Sequence, residues 1–289
     1  MRILNLGSVN IDHIYEVEHF VRPGETLSSR GYQIFAGGKG FNQSVALARA
    51  GAKTSHAGRI GRDAGWLVER LQIEGVVTTH LHESDTPTGH AMIQVDPSGE
   101  NSIVLYGGAN QTITEADIHS ACAAFSAGDT LLVQNETNLI AQAIQTAHDR
   151  KMRIVFNPAP MTSAVRDYPL NLVDLFVFNE TEAAGLTGEI NPDAIREKML
   201  AQYPDAAVVL TLGSKGATYF DAKTLHHETV PAVDAIDTTA AGDTFIGFFL
   251  AELMQSNDPA KALAQGCRAA AICVTRTGAA DSIPLLSEL

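Results

Sequence analysis

Four short runs of this chain are apolar at successive positions rather than at alternate ones: "TLLVQ" (Thr130–Gln134), "RIVFN" (Arg153–Asn157), "DLFVFN" (Asp174–Asn179) and "AVVLTLG" (Ala207–Gly213). A strand with one wet face alternates; a continuously apolar strand is covered on both faces. The segments between, such as "NLIAQAIQTAHDRK" and "NPDAIREKMLAQY", carry helical period. Strands of this kind separated by helices build a buried, mostly parallel sheet from right-handed βαβ units. "RILNLG" (Arg2–Gly7) reads as a further strand. "GFNQSVALARAG" (Gly40–Gly51) and "GWLVERLQIEG" (Gly65–Gly75) read as helices, each stopped by its last glycine. The final third is helical. "GDTFIGFFLAELMQ" and "PAKALAQGCRAAAICVTRTG" are apolar all round and are expected against the sheet, with Gly278 ending the second.

One stretch breaks the rhythm. "TGHAMIQVDPSGENSIVLYGGAN" (Thr88–Asn110) holds two strand-like runs around "DPSGE", a strong hairpin turn. With "GYQIFAGG" (Gly31–Gly38) and the segment near "HIYEVEHF", it predicts a small antiparallel sheet inserted early in the chain, placed to act as a lid; the alternative is an extension of the main sheet.

A length of 289 residues suits one large α/β unit or two small ones, and 45% hydrophobic with 18% charged residues argues for a globular chain. The net charge of −13 disfavours nucleic acid or an anionic membrane as partner, but not a phosphorylated small molecule bound by a few local N–H groups and cations. Cys122, Cys267 and Cys273 have no CxxC spacing, so neither a disulfide framework nor a zinc site is expected. "MRILNLGSVN" reads directly as a strand rather than a signal peptide, and no apolar run reaches the length of a membrane span. A soluble cytoplasmic protein is expected.

Four clusters of special residues fall at strand ends, where open α/β sheets bind ligands. "GSVNID" (Gly7–Asp12) is not a dinucleotide fingerprint. Asn10 and Asp12, two apart in extended chain, share a side and could bond neighbouring hydroxyls of a polyol, or form a capping turn. "AGGKGFNQS" (Ala36–Ser44) fails as a phosphate-binding P-loop. Its leading glycine would fall at Gln33 and its hydroxyl residue at Gly40. Its glycines still permit close backbone approach, with Lys39 and Asn42 as donors, or a simple tight turn. "NETEA" (Asn179–Ala183) could hold Mg²⁺ through water, or complement a helix dipole. "DTTAAGDTF" (Asp237–Phe245) places small residues before a lone carboxylate at a helix start. N–H groups from Ala240, Ala241, Gly242 and Asp243 can converge on an anion, with Asp243 able to accept a proton. Such a site suits phosphoryl transfer to a hydroxyl. The other reading makes Asp243 an N-cap.

"GGKGFNQSVALARAG" and "DTTAAGDTFIG" resemble the two signature regions of the ribokinase family of sugar kinases, in the phosphofructokinase-B superfamily. "GSVNIDHI", "RPGET", "GENSIVLYGGAN", "NPAP", "NETEA", "TLGSKG" and "VTRTGAADSIP" extend the resemblance over essentially the whole chain, in order and spacing. The resemblance implies an α/β fold: a ribokinase-like three-layer sandwich with a central mostly parallel sheet and a small β-sheet lid. It implies one domain over residues 1–289, lid strands from about 11–39 and 88–110, and a homodimer clasped through the lids. The implied activity is ATP-dependent phosphorylation of a sugar hydroxyl, D-ribose or a related furanose, with Mg²⁺ and activating K⁺.

Position by position, Asp243 resembles the base, and Ala240, Ala241 and Gly242 the anion hole. Asn10, Asp12, Gly38, Lys39, Asn42 and Glu136 resemble sugar ligands. Asn179, Thr211, Gly213, Ser214, Gly216 and Cys267 match the nucleotide side, with Glu182 holding Mg²⁺ through water. Asp237, Thr239, Cys273, Arg276, Gly278 and Ser282 match a K⁺ site built largely from backbone carbonyls. The chain departs from the family pattern at Phe41, at Ile246 and Phe248, and in "QNET", all bearing on the sugar or its supporting shell. A nucleoside kinase of the same fold is the alternative among enzymes. The charged and amide groups of Asn10, Asp12 and Lys39 favour a bare sugar over a nucleobase. A catalytically silent sugar-binding regulator is the alternative outside enzymes, and such a protein would be expected to have lost Asp243 or the anion hole.

Overall fold

Ile3, Leu4 and Leu6 of strand β1 (Ile3–Leu6) are all buried, alternating between the two faces of a large sheet. In the computed structural model, which describes residues 1–289, β1 pairs in parallel with β4 (Thr54–Gly61) on one side and β8 (Thr130–Gln134) on the other. Beyond β4 lies β5 (Val77–Ser84). Beyond β8 come β9 (Arg153–Asn157), β10 (Leu175–Asn179) and β11 (Ala207–Thr211), all parallel. Antiparallel β12 (Ala217–Phe220) and β13 (Leu225–Glu228) complete that edge.

The continuously apolar strands fill two core layers at once. Leu131 and Val133 of β8 pack with Phe156 and Phe176 toward α3 (Glu115–Ala123) and α4 (Ile140–Asp149). Leu132 between them packs with Val155 and Val209 against Phe245, Phe249 and Leu263 of α7 (Ala241–Ser256) and α8 (Pro259–Cys273). The expected three-layer sandwich is therefore present. A third apolar cluster joins α1 (Lys39–Arg49) and α2 (Gly65–Ile73) to α7 through Phe41, Val45, Leu67 and Phe248. Here a glycine is required. A Cβ on Gly247 would lie 2.3 Å from the Cβ of Ala46, so its absence lets α7 cross α1 at close range.

The last helix ends earlier than its glycine suggests. α8 stops at Cys273, and the Val274 carbonyl accepts from the N–H groups of both Ile236 and Asp237. Gly278, with φ of 102°, lies in a later turn.

A separate four-stranded sheet has the order β3 (Gly31–Gly37), β2 (Asn10–Glu16), β6 (Gly89–Val95), β7 (Asn101–Tyr106). It is not wholly antiparallel as expected. β2 and β6 run parallel, each with an antiparallel companion, so two antiparallel pairs lie side by side. The "DPSGE" turn closes β6 onto β7, with Asp96 Oδ1 accepting from the N–H groups of Ser98 and Glu100.

Candidate active site

The close crossing of α1 and α7 decides what Asp243 does. α7 is preceded by Ala240 in the left-handed region (φ 60°), and no side chain caps the helix. The N–H groups of Gly242 and Asp243 have no partner within the chain, as the first turn of a helix leaves them. Asp243 does not serve them. Its carboxylate instead accepts from Asn42 Nδ2 at 3.1 Å and Gln43 Nε2 at 2.8 Å, both on α1. The N-cap reading of Asp243 is thereby set aside.

A cavity of about 220 Å³ opens beside Asp243. Lys39 enters it from the first residue of α1, and Ala240 and Gly242 line it from the start of α7. Asp243, with Glu136 and Glu182 further off, holds the Lys39 ammonium above the usual lysine range against its burial. The cavity is also lined by Asn179 and Thr211, at the C-terminal ends of β10 and β11, and by Glu182 in the first turn of the helix that follows β10. Asn179 and Glu182 form a reciprocal capping box, with Asn179 Oδ1 accepting from the Glu182 N–H (2.9 Å) and Glu182 Oε2 from the Asn179 N–H (3.0 Å). This is the helix-start arrangement, and it also fixes Glu182 at the cavity. Burial raises the Glu182 carboxyl, with Lys39 opposing.

A second group of acids lies where β2 of the small sheet meets the loop after β8. Ser8 Oγ and the Lys39 N–H both donate to Glu136 Oε2. Burial raises Glu136 in spite of those donors. Burial, and then the neighbouring Glu136 charge, push Asp12 up to about 7. Asn10, on the same face of β2, accepts from Asn110 Nδ2 at 2.7 Å. Gly38, with φ of 90°, turns the chain from β3 into α1.

The raised Asp12 has a measurable sign. A carboxyl whose folded value lies above its unfolded value favours folding fully only below about pH 4, and that contribution is lost as the pH rises through 7. Asp12→Asn should therefore raise the melting temperature of the ligand-free protein at pH 8. The gain should fade toward pH 4. A gain independent of pH would show that Asp12 carries no buried charge.

Other predicted residues lie elsewhere. Gly213 and Ser214 are in a short exposed turn after β11, with Gly216 next to it, and these three do not line the cavity. Cys267 is buried in α8. Its thiol, pushed up to about 12 by burial and then by Glu228, lies 4.0 Å from the Glu228 carbonyl oxygen. In the segment before α7, Asp237 takes the N–H groups of Thr239 (2.9 Å) and Gly278 (3.0 Å) on its two oxygens. Cys273 Sγ touches Ser282 Oγ at 3.0 Å and lies 3.7 Å from the Thr239 carbonyl oxygen. The Arg276 guanidinium pairs with Glu288. The residues around Thr239 and Gly278 thus form two irregular segments clamped side by side, rich in backbone carbonyls.

Sequence reasoning gave no role to Gln43 or Asn157, although both stood inside quoted motifs. Asn157 lines the cavity and Gln43 bonds Asp243. The available signal was an amide pair, Asn42–Gln43, within an otherwise apolar helix.

Known proteins are similar to this chain over nearly their whole length. A ribokinase of Haemophilus influenzae is 42% identical over 98% of this chain and 95% of its own. A ribokinase of Staphylococcus aureus is 38% identical over 100% and 98%. The crystal structure of ribokinase from Thermotoga maritima superposes with a TM-score of 0.90 at 34% identity, covering 99% of this chain and 97% of that one. Arabidopsis thaliana ribokinase complexed with ribose and ATP superposes at 0.87 with 28% identity, covering 99% and 96%. Residues 2–286 also match the pfkB family carbohydrate kinase model, and the chain belongs to the pfkB family of carbohydrate kinases.

Proposed function

We propose that this protein transfers the γ-phosphoryl group of ATP to a hydroxyl of a furanose, with D-ribose the first candidate. The observation that carries the reading is the placement of Asp243. Its carboxylate borders the cavity beside the unpartnered N–H groups of its own helix and the Lys39 ammonium. The carboxylate accepts the hydroxyl proton as the oxygen attacks. The N–H groups of Gly242 and Asp243 face the charge on the transferring phosphoryl group, and Lys39 adds a full positive charge. Asn10, Asp12, Asn42 and Glu136 hold the sugar's other hydroxyls. Thr211, the 213–216 turn and the region of Cys267 form the nucleotide side.

Glu182, on the cavity wall, suits a hard cation held through water. Mg²⁺ keeps several waters and uses few carboxylates, and it would shield charge on the ATP phosphates. Glu182 would hold it through water. The segments around Asp237–Thr239 and Cys273–Ser282 have the backbone oxygens that K⁺ prefers. An ion there would brace the Ala240–Gly242 turn from behind. Activity should rise when K⁺ replaces Na⁺ at constant ionic strength. Equal rates in the two salts would remove that site from the reading.

We also propose a single domain over residues 1–289 whose four-stranded sheet is a lid, and a homodimer through that lid. The support is its exposed apolar side chains, among them Ile34, Met92, Ile103, Val104 and Leu105. No helix is long and apolar enough to cross a membrane, and a cytoplasmic location is the proposal that fits an ATP-using enzyme.

A coupled ADP-release screen over ribose, deoxyribose, fructose, other pentoses and nucleosides tests the function. Turnover of ribose or a near relative above all others is the expected result. Preference for nucleosides would favour the alternative kinase, and binding without turnover the silent regulator.

A further inference from the structure

Gln43 is a glutamine with no exposed surface, inside α1. Nε2 donates to Asp243 Oδ1 at 2.8 Å and to Asn157 Oδ1 at 3.2 Å. Oε1 accepts from Gln134 Nε2 at 2.7 Å. Gln134 Nε2 also donates to Asn5 Oδ1 at 2.9 Å, and Asn5 Nδ2 donates to Ser44 Oγ at 2.8 Å and to the Gly40 carbonyl at 2.7 Å. Ser44 Oγ meets His56 Nδ1 at 2.8 Å. Burial pushes the His56 imidazole down to about 4, so the row ends on a neutral ring. None of these side chains beyond Asp243 is more than 4% exposed.

The row has only one polarity. A carboxylate accepts and never donates, so Gln43 must turn its NH₂ group toward Asp243. Its carbonyl oxygen then faces Gln134, which must answer with NH₂, and Asn5 in turn receives that donor on its own oxygen. Reversing any one amide would set donor against donor or acceptor against acceptor. The hydrogen bonds therefore support one another, as in other buried polar networks. The arrangement also retains a cost, because Gln134 Oε1 and His56 Nε2 have no hydrogen-bond partner.

We propose that Gln43 is a positioning residue for phosphoryl transfer: locked by Gln134 and Asn5, it holds Asp243 Oδ1 so that Oδ2 takes the proton of the acceptor hydroxyl. Asn42 reaches Oδ2 only at 3.1 Å and leaves that oxygen a lone pair for the proton. An amide steers the carboxylate without adding a further full positive charge to that of Lys39. This inference rests on the reading of Asp243 as the base.

The test uses Gln43→Leu, alone and combined with Asp243→Asn, and Gln134→Leu, on the intact protein with the best acceptor from the screen. Gln43→Leu should lower kcat about 10- to 100-fold, the scale of a misplaced reacting group, with KM for ATP and sugar little changed. Gln134→Leu should give a smaller loss of the same kind. In the Asp243→Asn background, Gln43→Leu should change the residual rate by less than about twofold, because a residue that acts through Asp243 has nothing further to lose. Near-parental kcat in Gln43→Leu, with Asp243→Asn inactive, overturns the positioning role and leaves the base intact. Additive losses in the double variant also overturn it. An active Asp243→Asn removes the base reading itself. If Gln43→Leu does not fold, full turnover by a folded Gln134→Leu overturns the proposal.

Discussion

Asp243→Asn should reduce kcat at least ~10²-fold, the usual scale for a positioned proton acceptor, while sugar binding largely survives. The substitution is nearly isosteric, and it falls where geometry separates chemistry from binding. On the proposed reading, the helix N–H groups and Lys39 would still hold the phosphates, and Asp12 and Glu136 would still hold the sugar. What disappears is the only carboxylate bonded to both Asn42 and Gln43. The new amide would also turn a donor toward Gln43 or lose one of its two bonds. Turnover measured beside calorimetric sugar titration checks both halves. Near-normal kcat in a folded variant would take Asp243 out of the mechanism.

Replacing Ile93 and Leu105 with lysines should convert a dimer into a monomer and weaken sugar binding. The register explains why both effects are expected. Leu105 lies opposite Ala91, and Ala91 opposite Asp12, so this row shares its face with the acid at the lid root. Ile93 lies in the next row of that face, between Ile14 and Ile103. Leu105 and Ile103 are more than half exposed within one chain, and a small sheet cannot cover such side chains alone. The proposed two-fold contact between lids would cover them, and closure over the sugar would exclude water from the phosphoryl group. Light scattering on the unmodified protein and the double variant decides the point. A parent that is monomeric at micromolar concentration would show that the lid covers its apolar face within one chain.

The central strands could be read from sequence because burial on both faces removes alternation, as in β8 through β11. Strand β4 lies equally deep and was missed. Its Thr54 and His56 are polar, and His56 is accommodated by Ser44 of α1, a partner that no local window contains. The edge strands β5, β12 and β13 are partly exposed or short and give weak patterns. Hairpin signals describe chain neighbours, so the parallel pairing of β2 with β6 was invisible, and the lid was expected to be antiparallel. The helix end at Cys273 has the same origin. Gly278 was a genuine turn signal, but contacts from Ile236 and Asp237 accompany a helix end five residues earlier. Around Asp243 the motif exposed the carboxylate and its small neighbours. It could not choose between cap and base, because that depended on Gln43 and Asn42 arriving from a helix two hundred residues away in sequence.

The two-pair construction of the lid has an evolutionary consequence. Its sheet is separate from the large one, and its strand tips lie outside the layers that fix Asp243 and the turn before α7. Changes at tip positions such as 14, 95 and 103 would leave those layers undisturbed. On the proposed reading of the small sheet as a lid over the acceptor, a lineage, or an engineer working by directed selection, could explore new acceptors by drift in that sheet while the phosphate chemistry stays inherited and unchanged.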